Sequence, residues 1–419
     1  MGQRPGQTSP QRPLRRGWPA AGPVLGWPDS GLVMTAAAAL QNITVIELGH
    51  SVAAPYAGEI LGDLGATVIK IEKPEGDDAR KWAPPCWQGV SAIFRSLNRN
   101  KLSAVVDLRD PHERALLERL IVERADVVIQ NLRPGTAEEL GLDAASLRRK
   151  QPRLIHCTIG AFGSRGPLRD RPGYDPLMQA FGGLMSVTGE PGRPPVRVGT
   201  SIVDMGAGMW CVIGILNALM HRARTGEGQT IETSLFETAL AWMSYHAANY
   251  LASGEVPGRP GSGAPGIVPY RAYDTKDGAL VIAAANDKLF RALARVLGHP
   301  EWAEDARFRT NPDRVRHQDL LYGLIEDVVA TRSAAELQAA LEAAGVPSAP
   351  LQSIDQALAH PQTRELGILQ ESPDGLMCVG LPLAFDGERP RVRMPAPALG
   401  ADTERVLGRE ALSNGVSQE

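Results

Sequence analysis

Two aspartates stand where a carboxylate could act as a nucleophile or a base. Asp204 lies in Thr200-Ser201-Ile202-Val203-Asp204-Met205-Gly206-Ala207-Gly208, at the start of an apolar stretch that predicts a long helix over about 204–224. A carboxylate there either caps the helix, or is kept ionised by the helix N-terminus as a nucleophile requires. The stretch alone leaves both readings open. Gly206 and Gly208 are poor helix formers, and two of them in one first turn imply that something approaches the backbone closely. Asp175, in Arg171-Pro172-Gly173-Tyr174-Asp175-Pro176, follows a loop in a similar way and reads as a turn or cap residue or as a second acid.

Gly261-Ser262-Gly263-Ala264-Pro265-Gly266 matches the G-x-G-x-x-G pattern of a dinucleotide site. That pattern works only between a strand and a helix, because the helix N-terminus receives the phosphates. Here a helical stretch and a polar loop come before, and the extended run Ile267-Val268-Pro269-Tyr270 comes after. Pro265 also removes an N–H that a phosphate cradle would use. What remains is either a glycine loop that covers a site or a plain linker. There is no G-x-S-x-G, no P-loop and no H-E-x-x-H. Of eight scattered histidines, His50 alone sits at a strand's carboxyl end before a helix, as a structural or a binding residue.

The elements that must position these residues alternate. Strands are predicted at Ile43 to Leu48, Thr67 to Glu72, Ser103 to Leu108, Asp126 to Gln130, Leu154 to Ile159 and Gln229 to Ser234. Helices are predicted from Pro55 to Leu64, from Asp110-Pro111 through Arg124, and from Leu235 to Ser253. Alternation of this kind means βαβ units and a parallel sheet, whose ligands bind beyond the carboxyl ends of the strands. A hairpin around Lys276-Asp277-Gly278 and helices near 287–297, 317–331 and 333–344 form a smaller α+β unit. The tail from Pro347 reads as short strand-like pieces, and no internal repeat is visible.

Bulk properties narrow the field. The 419 residues are 43% apolar and 22% charged, with a net charge of −3, so the chain reads as globular and not as a nucleic-acid binder. No apolar run of about 20 residues stands out, which excludes a membrane span. Cys86, Cys157, Cys211 and Cys378 form no C-x-x-C, which argues against zinc and for a reducing compartment. Residues 1–33, rich in Pro, Gly and Arg with one acid, read as a disordered extension, or as a transit peptide. The protein is accordingly expected in the cytoplasm, or in the mitochondrial matrix if that segment is a transit peptide.

A series of short pieces in order gives the chain a resemblance to the class III CoA-transferases, from about residue 40 to 400. They are Ile46-Glu47-Leu48, Leu61-Gly62-Asp63-Leu64-Gly65-Ala66, Val68-Ile69-Lys70-Ile71-Glu72, Asn98-Arg99-Asn100-Lys101, Asn131-Leu132-Arg133-Pro134-Gly135, Gly173-Tyr174-Asp175 and Thr225-Gly226-Glu227-Gly228-Gln229. Ala247-Ala248-Asn249-Tyr250-Leu251 and Ile267-Val268-Pro269-Tyr270 are most similar to the succinyl-CoA:glutarate branch. The resemblance implies a Rossmann-like parallel-sheet domain built from both chain ends (34–225 and 335–419). A smaller α+β domain with linkers (226–334) lies between them, and the homodimer is interlocked.

It also implies that Asp204 attacks an acyl-CoA thioester, with Tyr174 and Asp175 beside it. His50, Ala53, Lys73 and Asn131 would hold CoA, with Lys101 as a possible addition. The loop of Gly261 and Gly263 would shield the intermediate, and Arg99, with Arg95 and Arg259 as rivals, would read a distal carboxylate. The substrates would be a CoA thioester, expected to be succinyl-CoA, and a small dicarboxylic acid, with no metal and no permanently bound cofactor. The chain departs from the family at Glu139, where an arginine is common, and at Val52, where some members have glutamine. An acyl-CoA racemase shares the fold, but that branch has histidine where Tyr174 stands, and a phenol of pKa near ~10 is a poor base. A non-catalytic CoA-binding protein is the remaining alternative.

Overall fold

The structure, a computed structural model, describes residues 39–408, so the segment 1–33 lies outside the described residues. Six parallel strands make the central sheet: β1 (Thr44–Leu48), β2 (Thr67–Glu72), β3 (Lys101–Val105), β4 (Val127–Gln130), β5 (Ile155–Gly160) and β6 (Thr230–Ser234). Their spatial order is β3-β2-β1-β4-β5-β6. The order reverses between β1 and β4, so the loops leaving these two strands diverge and open a crevice at their carboxyl ends.

Alternation along the strands explains why both faces are covered. Val45, Val68, Val127 and Cys157 pack against α1 (Ala53–Asp63) and the later helix α4 (Ile202–Thr225). Ile46, Ile69 and Val128 face the other way, against Leu117, Leu120 and Ile121 of α2 (Pro111–Arg124) and against Val406 and Leu407. Strands buried on both sides read as apolar runs, which is why they were visible in the sequence. The carboxyl-terminal segment reaches β3 directly. Asp402 Oδ2 accepts the Ser103 N–H at 3.0 Å, and the Asp402 N–H donates to the Ser103 carbonyl at 2.9 Å.

Two short helices flank α4 in sequence: α3 (Asp175–Phe181) before it and α5 (Leu235–Trp242) after β6. The predicted helix from Leu235 to Ser253 is in fact two, α5 and α6 (Ser244–Ser253), broken at Met243. A three-stranded antiparallel sheet, β7 (Tyr270–Asp274), β8 (Ala279–Ala283) and β9 (Ser348–Pro350), has β8 in the middle. Tyr273, Leu280 and Ile282 on it meet Phe290, Ile325 and Leu341 in an apolar cluster separate from those on the large sheet.

One expectation needs correction. The 24-residue helix α4 is long and apolar enough to cross a membrane, with a mean hydropathy of 1.7 over its most apolar stretch. Asp204, Gly206 and Gly208 interrupt the run at its start and disguise it. The helix packs as a core element, with Val203, Ala207, Cys211, Ile215 and Ala218 buried against α1 and the sheet.

Candidate active site

The crevice at the strand ends is a cavity of about 1460 Å³. Six of the residues singled out in the sequence line it: His50, Ala53, Lys73, Asn131, Tyr174 and Asp204. They arrive on the connections that leave four of the strands at their carboxyl ends. His50 follows β1, Ala53 opens α1, Lys73 follows β2, and Asn131 follows β4. Tyr174 precedes α3, and Asp204 lies in the first turn of α4.

Asp204 is not a cap. It is the third helical residue of α4, and Ser201 at the N-cap position makes no side-chain cap. The capping is done by Asp175, whose Oδ2 accepts the N–H of Val203 at 2.8 Å and of Asp204 at 3.2 Å. The N–H groups of a first turn have no partner within the helix, so a buried acid from another segment satisfies them here. Asp175 Oδ1 accepts from Gln179 Nε2 at 2.6 Å, and Gln179 Oε1 takes the Val198 N–H at 2.8 Å. This network ties α3 and the loop before α4 to the start of α4.

The Asp204 carboxylate accepts no hydrogen bond from the protein among the described residues, while its backbone N–H is committed to Asp175. Burial pushes its pKa up to about 7, and the charge of Asp175 adds to the rise. The sequence implies a helix end that keeps Asp204 ionised; desolvation and the charge of Asp175 instead raise the pH at which it ionises. The consequence is chemical. An ionised oxygen without donors around it is a stronger base and nucleophile than a solvated one.

Gly206 and Gly208 also gain a physical account, different from close approach by a ligand. A Cβ at Gly206 would lie 2.8 Å from Thr238 and Trp242, and one at Gly208 would lie 2.7 Å from the carbonyl oxygen of Ala53. The glycines let α5 and the start of α1 press against the first turns of α4. That contact brings Ala53 and Asp204 to one wall.

Asn131 holds the β1–α1 loop. Its Oδ1 accepts the His50 N–H and its Nδ2 donates to the His50 carbonyl, both at 3.0 Å. Lys73 reaches into solvent and pairs with Asp78 at 2.8 Å. Tyr174 is 61% exposed at the cavity rim.

Other predicted residues are not brought to this cavity. Lys101 is buried under the sheet edge; its Nζ donates to the Pro55 carbonyl at 2.7 Å and to Asn98 Oδ1 at 2.9 Å, and ion-pairs with Glu47 at 2.8 Å. Arg99 is 2% exposed and locked against Asp63 at 2.7 Å and Glu59 at 2.5 Å. Its guanidinium cannot read a substrate, because desolvated acids already occupy it. Arg95 pairs with Asp374, and Arg259 bonds the Arg193 carbonyl. Gly261, at φ +63°, donates to the Gly189 carbonyl, and Gly263 donates to the Pro260 carbonyl; neither lines the cavity. The sequence reading missed Arg169, a cavity cation six residues before Asp175, and Asp77, which lies in the polar run after β2.

Fold and site together define an α/β protein with a long crevice at its switch point and a carboxylate in the crevice wall. Comparison with known proteins makes this specific. The family model for CoA-transferase family III matches residues 40–403. The chain is 39% identical over 379 residues to the succinate–glutarate CoA-transferase of Agrobacterium fabrum, covering 88% of this chain and 94% of that one. It is 38% identical to the acetyl-CoA:oxalate CoA-transferase of Acetobacter aceti, covering 85% and 92%. The crystal structure of a CAIB/BAIF family protein from Brucella suis superposes with a TM-score of 0.80 at 38% identity, covering 88% of this chain and 99% of that one. The chain belongs to CoA-transferase family III and is an enzyme, a transferase.

Proposed function

We propose that the protein moves CoA from an acyl-CoA donor, succinyl-CoA, to a small dicarboxylic acid, with Asp204 as the covalent nucleophile. The observation that carries the reading is Asp204 itself: a carboxylate in the cavity wall that accepts no hydrogen bond among the described residues and whose pKa is raised to about 7. One Asp204 oxygen attacks the thioester carbonyl. The C–S bond breaks, CoA leaves as thiolate, and a mixed anhydride remains. The thiolate then attacks the aspartyl carbonyl and expels the donor as its free carboxylate, leaving an aspartyl-CoA thioester. The acceptor carboxylate repeats these steps in reverse. No net proton is needed, and the overall exchange is close to isoenergetic because one acid's CoA thioester replaces another's; the anhydride is the high-energy intermediate between them.

His50, Ala53, Lys73 and Asn131 bound the arm of the cavity that suits the CoA chain, Asn131 by fixing the His50 backbone. Tyr174 and Asp175 flank the reacting end, Asp175 by fixing the first turn of α4. Arg169, on the segment running into Tyr174, is the cation we assign to a distal carboxylate; its pairing with Asp170 is loose at 3.4 Å. The names of two relatives support a dicarboxylate acceptor, since glutarate and oxalate are both dicarboxylates.

We assign a homodimer, supported by the apolar side chains that α4 leaves exposed: Met209, Trp210, Ile213 and Met220. In it the glycine-rich loop of one subunit serves as lid for the other's cavity, excluding water from the anhydride. The test is a panel of free acids offered with succinyl-CoA. Glutarate, malate, itaconate or mesaconate are expected to be the best acceptors. Preference for formate or a bulky aryl acid contradicts the dicarboxylate assignment, and α-proton exchange without acyl exchange favours the racemase.

A further inference from the structure

Beneath the β1–α1 loop lies a buried lysine that the proposed chemistry does not use. Lys70, on β2, has no exposed surface. Its Nζ pairs with Glu47 at 3.0 Å, donates to the Gly49 carbonyl at 2.8 Å, and pairs with Asp77 Oδ2 at 2.9 Å. Two of its protons go to Glu47 and the Gly49 carbonyl, and the Asp77 carboxylate lies against the ammonium as an ion pair. Asp77 then carries the contact upward. Its Oδ1 accepts the Ser51 N–H at 3.2 Å and the Ala79 N–H at 2.9 Å. Ser51 has φ +68°, in the left-handed region that a serine enters at a cost. The loop is therefore held in an unfavourable backbone state by contacts from below, while Asn131 holds His50 from the side.

We propose that Lys70 and Asp77 are positioning residues for the CoA thioester. Their ion pair fixes both walls of the cavity's CoA arm: Gly49-His50-Ser51 on one side, and, through Ala79, the segment after β2 that carries Lys73 on the other. A desolvated pair suits this task, because removing either partner leaves a core charge less fully compensated: Asp77 would lose its ammonium, and Lys70 would keep only Glu47. Preorganisation of this kind spares the ligand the cost of ordering the loop. The proposal rests on reading the cavity as the acyl-CoA site.

The test is CoA binding by calorimetry together with steady-state kinetics, on wild type and Asp77→Asn. Asparagine keeps an oxygen for Ser51 but breaks the ion pair. The expected result is CoA affinity weakened, and KM for acyl-CoA raised, by about tenfold, with kcat falling by a smaller factor. A purely structural role would lower the melting temperature and leave KM alone. Wild type that does not bind CoA overturns the reading of the cavity. Wild type that binds, with Asp77→Asn binding equally well, overturns only the clamp. If Asp77→Asn does not fold, hydrogen exchange on the wild-type peptide spanning residues 49–53 decides. The His50 and Ser51 amides should exchange slowly before CoA is added. Exchange at open-loop rates, slowed only by CoA, overturns the proposal.

Discussion

The Oδ2 of Asp175 accepts the backbone N–H of Asp204 at 3.2 Å. One acid thus holds the other by its main chain and leaves the second carboxylate uncommitted. It also places a negative charge close enough to help raise the Asp204 pKa to about 7. The ionised form is the nucleophile, so kcat/KM of the free enzyme should rise with pH and level off above about 7. Asp175→Asn removes the charge and should move that rise to lower pH. It also turns an amide toward Gln179 Nε2, so stability should fall by about 1–3 kcal/mol. A pH profile of kcat/KM for both proteins, with a denaturant titration, checks this.

The same shift has a consequence for stability. Folding favours protonated Asp204, so its contribution is greatest below the ordinary carboxylate range and is lost as pH rises through about 7. Asp204→Asn should flatten that part of the pH–stability curve, measured by melting temperature across pH 4 to 8.

Lys101 is a structural residue in this geometry, not a CoA contact. Lys101→Met removes a partner of buried Glu47 and should cost about 3–5 kcal/mol in a denaturant titration. The protein that remains folded should bind CoA as wild type does. A weaker Kd at unchanged stability would return Lys101 to the binding site.

Gly208 lies where α1 and α4 press together. Gly208→Ala brings a Cβ to 2.7 Å from the Ala53 carbonyl oxygen, which is backbone and cannot swing aside. The expected cost is roughly 1–3 kcal/mol, read as a drop in melting temperature, with KM for acyl-CoA raised because Ala53 moves.

Arg169→Ala should raise KM for the acceptor acid by about tenfold while KM for acyl-CoA changes less, since a carboxylate loses a charge-assisted partner. Equal effects on both substrates would make Arg169 a general cavity charge.

Much of this site could be read from the chain because its parts sit at element boundaries. β2 and α2 have the predicted limits, Thr67–Glu72 and Pro111–Arg124, since a doubly buried strand and an Asp-Pro helix start leave plain local signals. Asp204, Tyr174 and His50 were visible as polar residues where strands end or helices begin. Arg99 and Lys101 misled for a physical reason. Their partners lie far away in sequence, Asp63 at 36 residues from Arg99, and nothing local marks a buried pair. The glycines of α4 signalled close approach correctly but not by what, because helix–helix contact and ligand contact look alike in one chain. Asp77 sat in a polar run that reads as loop, and nothing local shows that its carboxylate turns back onto Lys70 seven residues earlier, on β2.

The most direct test of the account is trapping on Asp204. Wild type incubated with donor acyl-CoA and hydroxylamine should acquire the mass of a hydroxamate on the peptide containing Asp204, and Asp204→Ala should lose kcat by at least about a thousandfold while still binding CoA. Substantial turnover by Asp204→Ala, or a hydroxamate on another acid, would contradict it.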